Sequence, residues 1–284
     1  MSGIGDPTAP TVISLPERVP HLLRDLVHER VGIYFDNDRF DLMIDKLEPR
    51  ARALGCSSYL DYYYILKYNE HGLAEWRRLM DAFSVQETYF WREFDQVRLL
   101  IDRIVPRWFA ATTRPLRIWS AACASGEEPF SIAMALRDSI WAHHPIEIIA
   151  SDSSEAALAK AAAGRFRERS FRSLPPDVRE RHFRRDGDDW VLDPAIVRSV
   201  RFHWANLVDL DGFVETAAVD IIFCRNVFIY FSPNSIRQVV GAFAKRIPQD
   251  GSLFIGASES LLKLTNQFDL ENVNGAFVYT RNHN

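Results

Sequence analysis

Cysteine is scarce in this sequence. Cys56, Cys123 and Cys224 stand alone among 284 residues, too few and too scattered for a disulfide framework or a tetrahedral zinc site, so no metal is expected. A reducing, cytoplasmic setting is the expected one. Long apolar runs are missing as well: no stretch of about 18 such residues occurs, and the N-terminal MSGIGDPTAPTVISLPERVP has neither the basic nor the apolar region of a signal peptide. Neither export nor membrane insertion is predicted. An excess of positive charge is the third absence, with 34 Lys and Arg against 38 Asp and Glu. A nucleic-acid or anionic-membrane partner would ask for a basic footprint. What is present is ordinary globular composition, 47% hydrophobic and 25% charged, enough for one large domain or two. A monomer is expected.

Residues 1–16 are rich in Pro, Gly, Ser and Thr without periodicity and read as a flexible tail. Residues 17–83 are helical in pattern: Phe40, Met43, Ile44 and Leu47 share one face, as do Leu73, Trp76, Met80 and Phe83. A small all-α bundle is predicted there. From Ser84 to residue 284 strands alternate with helices, which predicts an α/β domain on a mostly parallel sheet. Strands are expected at 116–121, 146–151, 200–204, 219–224 and 252–257, with a final antiparallel edge strand at 276–281. Helices are expected at 129–141, 154–164 and 233–247. Residues 165–199 are too long for an ordinary connection and, with a DGDD turn before Trp190, read as an inserted hairpin subdomain.

The first predicted strand runs into AACASGEEP, a turn of small residues opening a helix. Small side chains admit a ligand to the backbone, while Glu127 and Glu128 place negative charge where a phosphate would otherwise sit. They suit a cationic ligand such as S-adenosylmethionine, although acids there also favour the helix dipole. Asp152 ends the second strand 26 residues after Gly126, close to the offset at which an acid accepts from ribose hydroxyls; capping the next helix is its alternative role. Arg225, Asn226 and Tyr230 follow the fourth strand, where an open α/β sheet holds its reacting ligand. Cys224, with no base nearby in the sequence, reads as a buried thiol. Tyr89, Phe90 and Trp91 before Arg92 read either as interdomain packing or as a segment reaching the crevice.

The blocks SVQETYFWRE, RIWSAACASGEEPFSIAMAL, IIASD, ANLVD, DIIFCRNVFIYF and GSLFIGASESL, in this order, resemble the chemotaxis receptor methyltransferases, the CheR family. The resemblance covers the chain from about residue 20. It implies a small all-α domain joined to a Rossmann-like class I methyltransferase domain with an inserted small β-subdomain. It further implies methyl transfer from S-adenosylmethionine, leaving S-adenosylhomocysteine, to glutamate side chains on the cytoplasmic helical bundle of chemoreceptors. By the same resemblance Gln86, Thr88 and Arg92 border the cofactor, Glu128 or Glu127 takes its amino group, and Asp152 its ribose. Asn206 and Leu207 lie by the adenine, Arg225 and Asn226 line the floor, and Tyr230 faces the methyl. Where many relatives read Thr-Asn-x-Thr, this chain has Val85-Gln86-Glu87-Thr88, so a less direct contact from Gln86 is expected.

A free glutamate side chain titrates at about pH 4.3, so at neutral pH it is already ionised and needs no general base. Arg92 and Tyr230 are therefore expected as the catalytic pair, orienting the acceptor. A nucleic-acid methyltransferase would show its own acceptor motif, such as Asp-Pro-Pro-Tyr, and a silent cofactor-sensing module would lack this pair. The turn after Phe183 is short and two acids lie beside Trp190, while eight arginines face three acids between Arg165 and Arg185. Direct docking on an acidic receptor bundle through basic residues of the helical domain and this stretch is expected, without a terminal tethering peptide.

Overall fold

The computed structural model describes residues 13–69, 72–85, 87–211, 213–216 and 218–282. The chain forms two compact units, Met1–Phe83 and Ser84–Asn284. Most of the expected tail lies outside the described residues, but its last part is packed. Ile13 is buried, and the Tyr59 N–H donates to the Ser14 carbonyl at 2.9 Å. An apolar side chain beside a bridging backbone pair adds contacts that composition alone does not reveal.

Among the described residues the first unit has four α-helices, α1 (Val19–Val31), α2 (Phe40–Ala53), α3 (Tyr59–Tyr68) and α4 (Gly72–Phe83), with a 3-10 turn at Asn37–Arg39 before α2. Ser58 starts α3 with a capping box, its hydroxyl accepting from the Asp61 N–H while Asp61 accepts from the Ser58 N–H. Leu23, Met43, Leu47, Tyr62 and Leu79 form the dry centre of the bundle.

The second unit opens with α5 (Phe94–Leu99), which continues through a π-turn at Leu100–Ile104 into α6 (Val105–Ala111). These helices lie outside the sequence-based expectation. Pro106 cannot donate to the ladder and crowds the preceding turn, and the widened π-turn accommodates it. Then come β1 (Leu116–Ala121), α7 (Glu127–Arg137), β2 (Ile146–Asp152), α8 (Glu155–Ala163) and β3 (Arg165–Phe166). They are followed by α9 (Pro176–His182), β4 (Phe183–Asp186), β5 (Asp189–Leu192), α10 (Pro194–Arg198) and β6 (Val200–Trp204). The chain ends with β7 (Ile221–Phe223), α11 (Pro233–Ala244), β8 (Ser252–Phe254), β9 (Phe268–Val273) and β10 (Ala276–Arg281).

The main sheet has the order β6-β2-β1-β7-β8-β10-β9, parallel from β6 to β8 and antiparallel at β10 and β9. Its central strands are apolar on both sides. Ile118, Ile148, Ile221 and Phe223 enter one core; Trp119, Ile149, Ile222 and Cys224 enter the other. This is the period-two signature of a parallel sheet covered on both faces. Helix α7 begins two residues earlier than expected and ends four earlier, while β7 and β8 each span three residues. Edge strand β9 escapes sequence reading because the apolar–acidic alternation of its FDLENV stops after four residues and all but Phe268 and Val273 are exposed.

The inserted region is a three-stranded sheet in the order β3-β5-β4 together with α9 and α10. Asp186 pairs with Asp189, so the hairpin turn is Gly187–Asp188 alone. Among the described residues, no helix is long and apolar enough to cross a membrane.

Candidate active site

The chain runs from β1 outward to β2 and β6, then returns to the other side of β1 as β7. A reversal of this kind opens a crevice beyond the carboxyl ends of the two strands at the switch point. Backbone strain gathers there. Of the seven non-glycine residues with positive φ among those described, five lie just before α5 or just after β1 and β7: Trp91, Glu93, Ala122, Ala124 and Asn226. Such conformations cost about 1–3 kcal/mol each and persist where the surroundings fix them.

After β1 the turn is shaped by Ala122, Ala124 and Gly126, with φ of 58°, 48° and 95°. A Cβ on Gly126 would lie 2.8 Å from the Phe130 ring and 2.9 Å from Ala161, so both conformation and packing require glycine. Asp152, buried at the end of β2, accepts from the Ala124 N–H and the Ser154 N–H, each at 2.8 Å. Ser154 is the residue that caps α8 with its side chain, accepting from the Ala157 N–H at 3.0 Å, so the capping role considered for Asp152 falls to its neighbour. Just past β6, Asn206 and Leu207 are buried, and the Ala205 N–H donates to the Asp152 carbonyl at 3.1 Å.

The two glutamates of the α7 start differ. Glu127 is only 3% exposed and accepts from the hydroxyls of Ser125 at 2.8 Å and Ser170 at 3.0 Å; burial raises its pKa. Glu128 accepts from the Ser120 hydroxyl and from Arg225 Nε, each at 2.6 Å. Arg225 is itself buried, and its Nη1 donates to the carbonyls of Arg92 at 2.8 Å and Glu93 at 3.3 Å. One guanidinium thus ties together the start of α7, the end of β7 and the segment before α5. Cys224 is fully buried with its pKa raised by desolvation, which keeps it a thiol.

In the segment before α5, Phe90 packs inside the second unit against Phe166, Phe171 and Phe183, with ring centroids 4.8 to 5.3 Å away. Packing within one domain therefore accounts for this aromatic. Arg92 donates through Nη1 to the Glu87 carbonyl at 2.8 Å and lies 5.5 Å from the Tyr89 ring centroid. Among the described residues it makes no salt bridge. Thr88 is half-buried; Gln86 lies outside the described residues. Asn226 Nδ2 donates to Glu93 Oε1 at 3.4 Å. Tyr230 closes a short 3-10 turn, Phe228–Tyr230, and its hydroxyl has no protein partner among the described residues. It is not hydrogen-bonded to the Arg92 guanidinium.

The structure therefore brings Glu127, Glu128, Asp152, Asn206, Leu207, Arg225 and Asn226 to the carboxyl ends of neighbouring strands. It also joins the Arg92 backbone to Arg225. Sequence reasoning missed Ser120, Glu93, Gln96 and Glu259, all of which bond to residues of this constellation or its loops. Glu93 and Glu259 lie inside the SVQETYFWRE and GSLFIGASESL blocks, but nothing in those strings says which backbone amides they meet.

A doubly wound sheet with an antiparallel strand beside its last parallel one, a small-residue turn after the first strand and an acid at the tip of the second defines a Rossmann-like, S-adenosylmethionine-dependent methyltransferase. Residues 86–277 match the SAM-binding domain of the CheR methyltransferases, and residues 21–84 match their all-alpha domain. The chain belongs to the CheR methyltransferase family. It is 34% identical to Chemotaxis protein methyltransferase 2 of Vibrio cholerae serotype O1, covering 92% of this chain and 91% of that one. It is 36% identical to the chemotaxis protein methyltransferase of Vibrio parahaemolyticus serotype O3:K6, covering 95% and 98%. Against that of Escherichia coli strain K12 the identity is 32%, covering 90% and 88%. Its cofactor is S-adenosylmethionine, and the donor set fits: no side chain larger than Ser or Cys stands between Ala121 and Glu127, and carboxylates rather than a phosphate cradle border the turn.

Proposed function

We propose that the chain forms methyl esters on glutamate side chains of the cytoplasmic helical bundle of chemoreceptors, acting as a cytoplasmic monomer in sensory adaptation. The carrying observation is that the Arg92 guanidinium has no acidic partner and the Tyr230 hydroxyl no partner among the described residues, on two segments that both meet at Arg225, which Glu128 holds. The relatives' shared name, chemotaxis protein methyltransferase, supports the same reading.

Asp152 holds the ribose of the cofactor and Glu128 its amino group, because Glu127 is almost fully buried behind its two serines while the Glu128 side chain is 11% exposed. Asn206 and Leu207 flank the adenine, Gln86 and Thr88 border the cofactor, and Arg225 and Asn226 form the floor. S-adenosylmethionine bound there supplies a methyl group activated by its sulfonium. The protein supplies position. Arg92 clamps one oxygen of the acceptor carboxylate, Tyr230 donates its hydroxyl to complete the orientation, and exclusion of water keeps the ionised oxygen reactive at about 3–3.5 Å. The test uses purified protein, labelled cofactor and receptor cytoplasmic fragments. Label released by base as methanol is expected; base-stable label would rule out the ester.

Recruitment is proposed to need no tethering peptide. The β4–β5 turn has two residues, and Trp190 is already engaged, with Nε1 on Glu168 at 3.0 Å and the Arg179 guanidinium 4.5 Å from its ring. The arginine-rich stretch does not offer the free basic face expected of it. Six of its eight arginines, Arg165, Arg167, Arg172, Arg179, Arg181 and Arg185, make salt bridges to nearby acids. Docking is left to exposed basic residues of the helical unit such as Arg18 and Lys67. Saturable micromolar binding of an isolated receptor-tail peptide at the inserted sheet would overturn this.

A further inference from the structure

One carboxylate beside the crevice collects backbone amides as few side chains do. Glu259 Oε2 accepts from the N–H groups of Gly256 at 2.6 Å and Asn226 at 2.8 Å, and Oε1 from those of Phe228 at 2.6 Å and Ile229 at 3.3 Å. The four donors come from two loops, one after β7 and one after β8. Hydrogen bonds to an ionised acceptor are about twice as strong as neutral ones. The fit is close as well: a Cβ on Gly256 would stand 2.6 Å from Asn226 Nδ2 and 2.9 Å from Glu259 Oε2.

Packing does not do this work instead. Phe228 is buried, but Ile229 and Tyr230 are 52% and 38% exposed. Glu259 and Glu93 also line a cavity of about 290 Å³, together with Gln96, Ile255 and Phe277. A partly exposed loop with a strained left-handed Asn226 at its start relaxes unless polar bonds hold it. Glu93 adds a second link, accepting from Asn226 Nδ2 and from the Ala257 N–H at 3.1 Å.

We infer that Glu259 is a positioning residue for methyl transfer: it fixes the Asn226–Tyr230 loop so that Asn226 and Tyr230 present to the bound cofactor and acceptor. The inference rests on the acceptor role proposed above for Tyr230. Glu259 itself touches neither cofactor nor acceptor. Replacing one of its oxygens by an amide NH₂ turns a donor toward two backbone N–H groups, whereas a shorter carboxylate keeps the charge and part of the geometry.

The test uses the full chain with three substitutions. Glu259→Gln is expected to lower kcat by about tenfold or more at a temperature where the variant is fully folded, with the KM for the receptor fragment changed far less. Glu259→Asp restores part of kcat. Asp220→Asn is the structural control, since Asp220 binds Arg114 at 2.7 and 3.1 Å and the Arg117 N–H at 2.9 Å at the opposite end of β7; it lowers Tm and leaves kcat in place. Equal kcat losses in Glu259→Gln and Asp220→Asn, or a Glu259→Gln effect confined to Tm, would overturn the inference. Hydrogen exchange of the unmodified protein gives a reading free of any variant: the Asn226, Phe228 and Gly256 amides are protected far beyond those of an exposed loop, and fast exchange there would equally overturn it. Absence of transfer by the unmodified enzyme would count against the acceptor reading alone, while the exchange pattern would still judge the carboxylate's grip.

Discussion

Each unit of this protein holds an arginine–glutamate pair with one buried member, Glu75 in the first and Arg225 in the second, and the two pairs are built differently. In the helical unit Arg50 grips Glu75 through two parallel bonds, Nε to Oε1 at 2.8 Å and Nη2 to Oε2 at 2.6 Å, and the Tyr62 hydroxyl adds a third at 2.8 Å. The bonds link α2, α3 and α4, and burial beside Glu75 pushes the Tyr62 phenol far above its ordinary pKa. In the methyltransferase unit Arg225 meets Glu128 through Nε alone and gives Nη1 to two backbone carbonyls of the strained segment before α5. The first pair joins regular helices and, among the described residues of its unit, no non-glycine backbone has a positive φ. The second holds distorted loops at a topological switch point. A buried ion pair is thus not by itself a sign of function; strain and position at the carboxyl ends of the strands make the difference.

The largest expected effect separates the pairs. Glu75→Gln leaves the half-buried Arg50 charge without its partner in the bundle and should cost about 3 kcal/mol of stability, the low end for a buried pair because Arg50 still reaches water, read by denaturant unfolding, with turnover per folded molecule unchanged. A loss of turnover without a loss of stability would show that the helical pair serves the reaction. Next, Arg92→Ala should lower kcat/KM by about a hundredfold with little change in Tm, and Arg92→Lys should restore little, because an ammonium lacks the planar fork. Steady-state methylation of a receptor fragment measures both. Asp152→Ala should weaken S-adenosylhomocysteine binding by about tenfold or more, the loss of charge-assisted hydrogen bonds; unchanged calorimetric affinity would confine this carboxylate to fastening Ala124 and Ser154. The smallest effect belongs to Tyr230→Phe, which removes one hydroxyl and should reduce kcat by about two- to tenfold at constant cofactor affinity. Full activity of that variant would leave Arg92 as the sole orienting group.

The sequence by itself determined the two-part organisation and the character of each part, since amphipathic helical spacing before Ser84 and apolar strands alternating with helices after it are local signals. It also placed Asp152, Arg225 and Asn226 at strand ends, because a strand followed by a turn is legible wherever the apolar run stops. Even so, the reading lost β9, whose alternation is too short to register, and the helices from Phe94 to Ala111, where Pro106 interrupts the pattern. What each polar group binds was decided only by the tertiary structure. Glu127 and Glu128 are adjacent and identical in type, yet the fold seals one with Ser125 and Ser170 and pairs the other with Arg225, 97 residues away. The arginines between 165 and 185 counted as a basic excess along the chain, but in space they meet acids such as Asp138. Glu259 carries no signal of its own along the chain; its role comes from four amides of two loops that converge on it. The physical reason is common to all three. Hydrophobic periodicity is a short-range property of the chain, whereas the partners of a buried charge come from residues brought together only when the sheet closes.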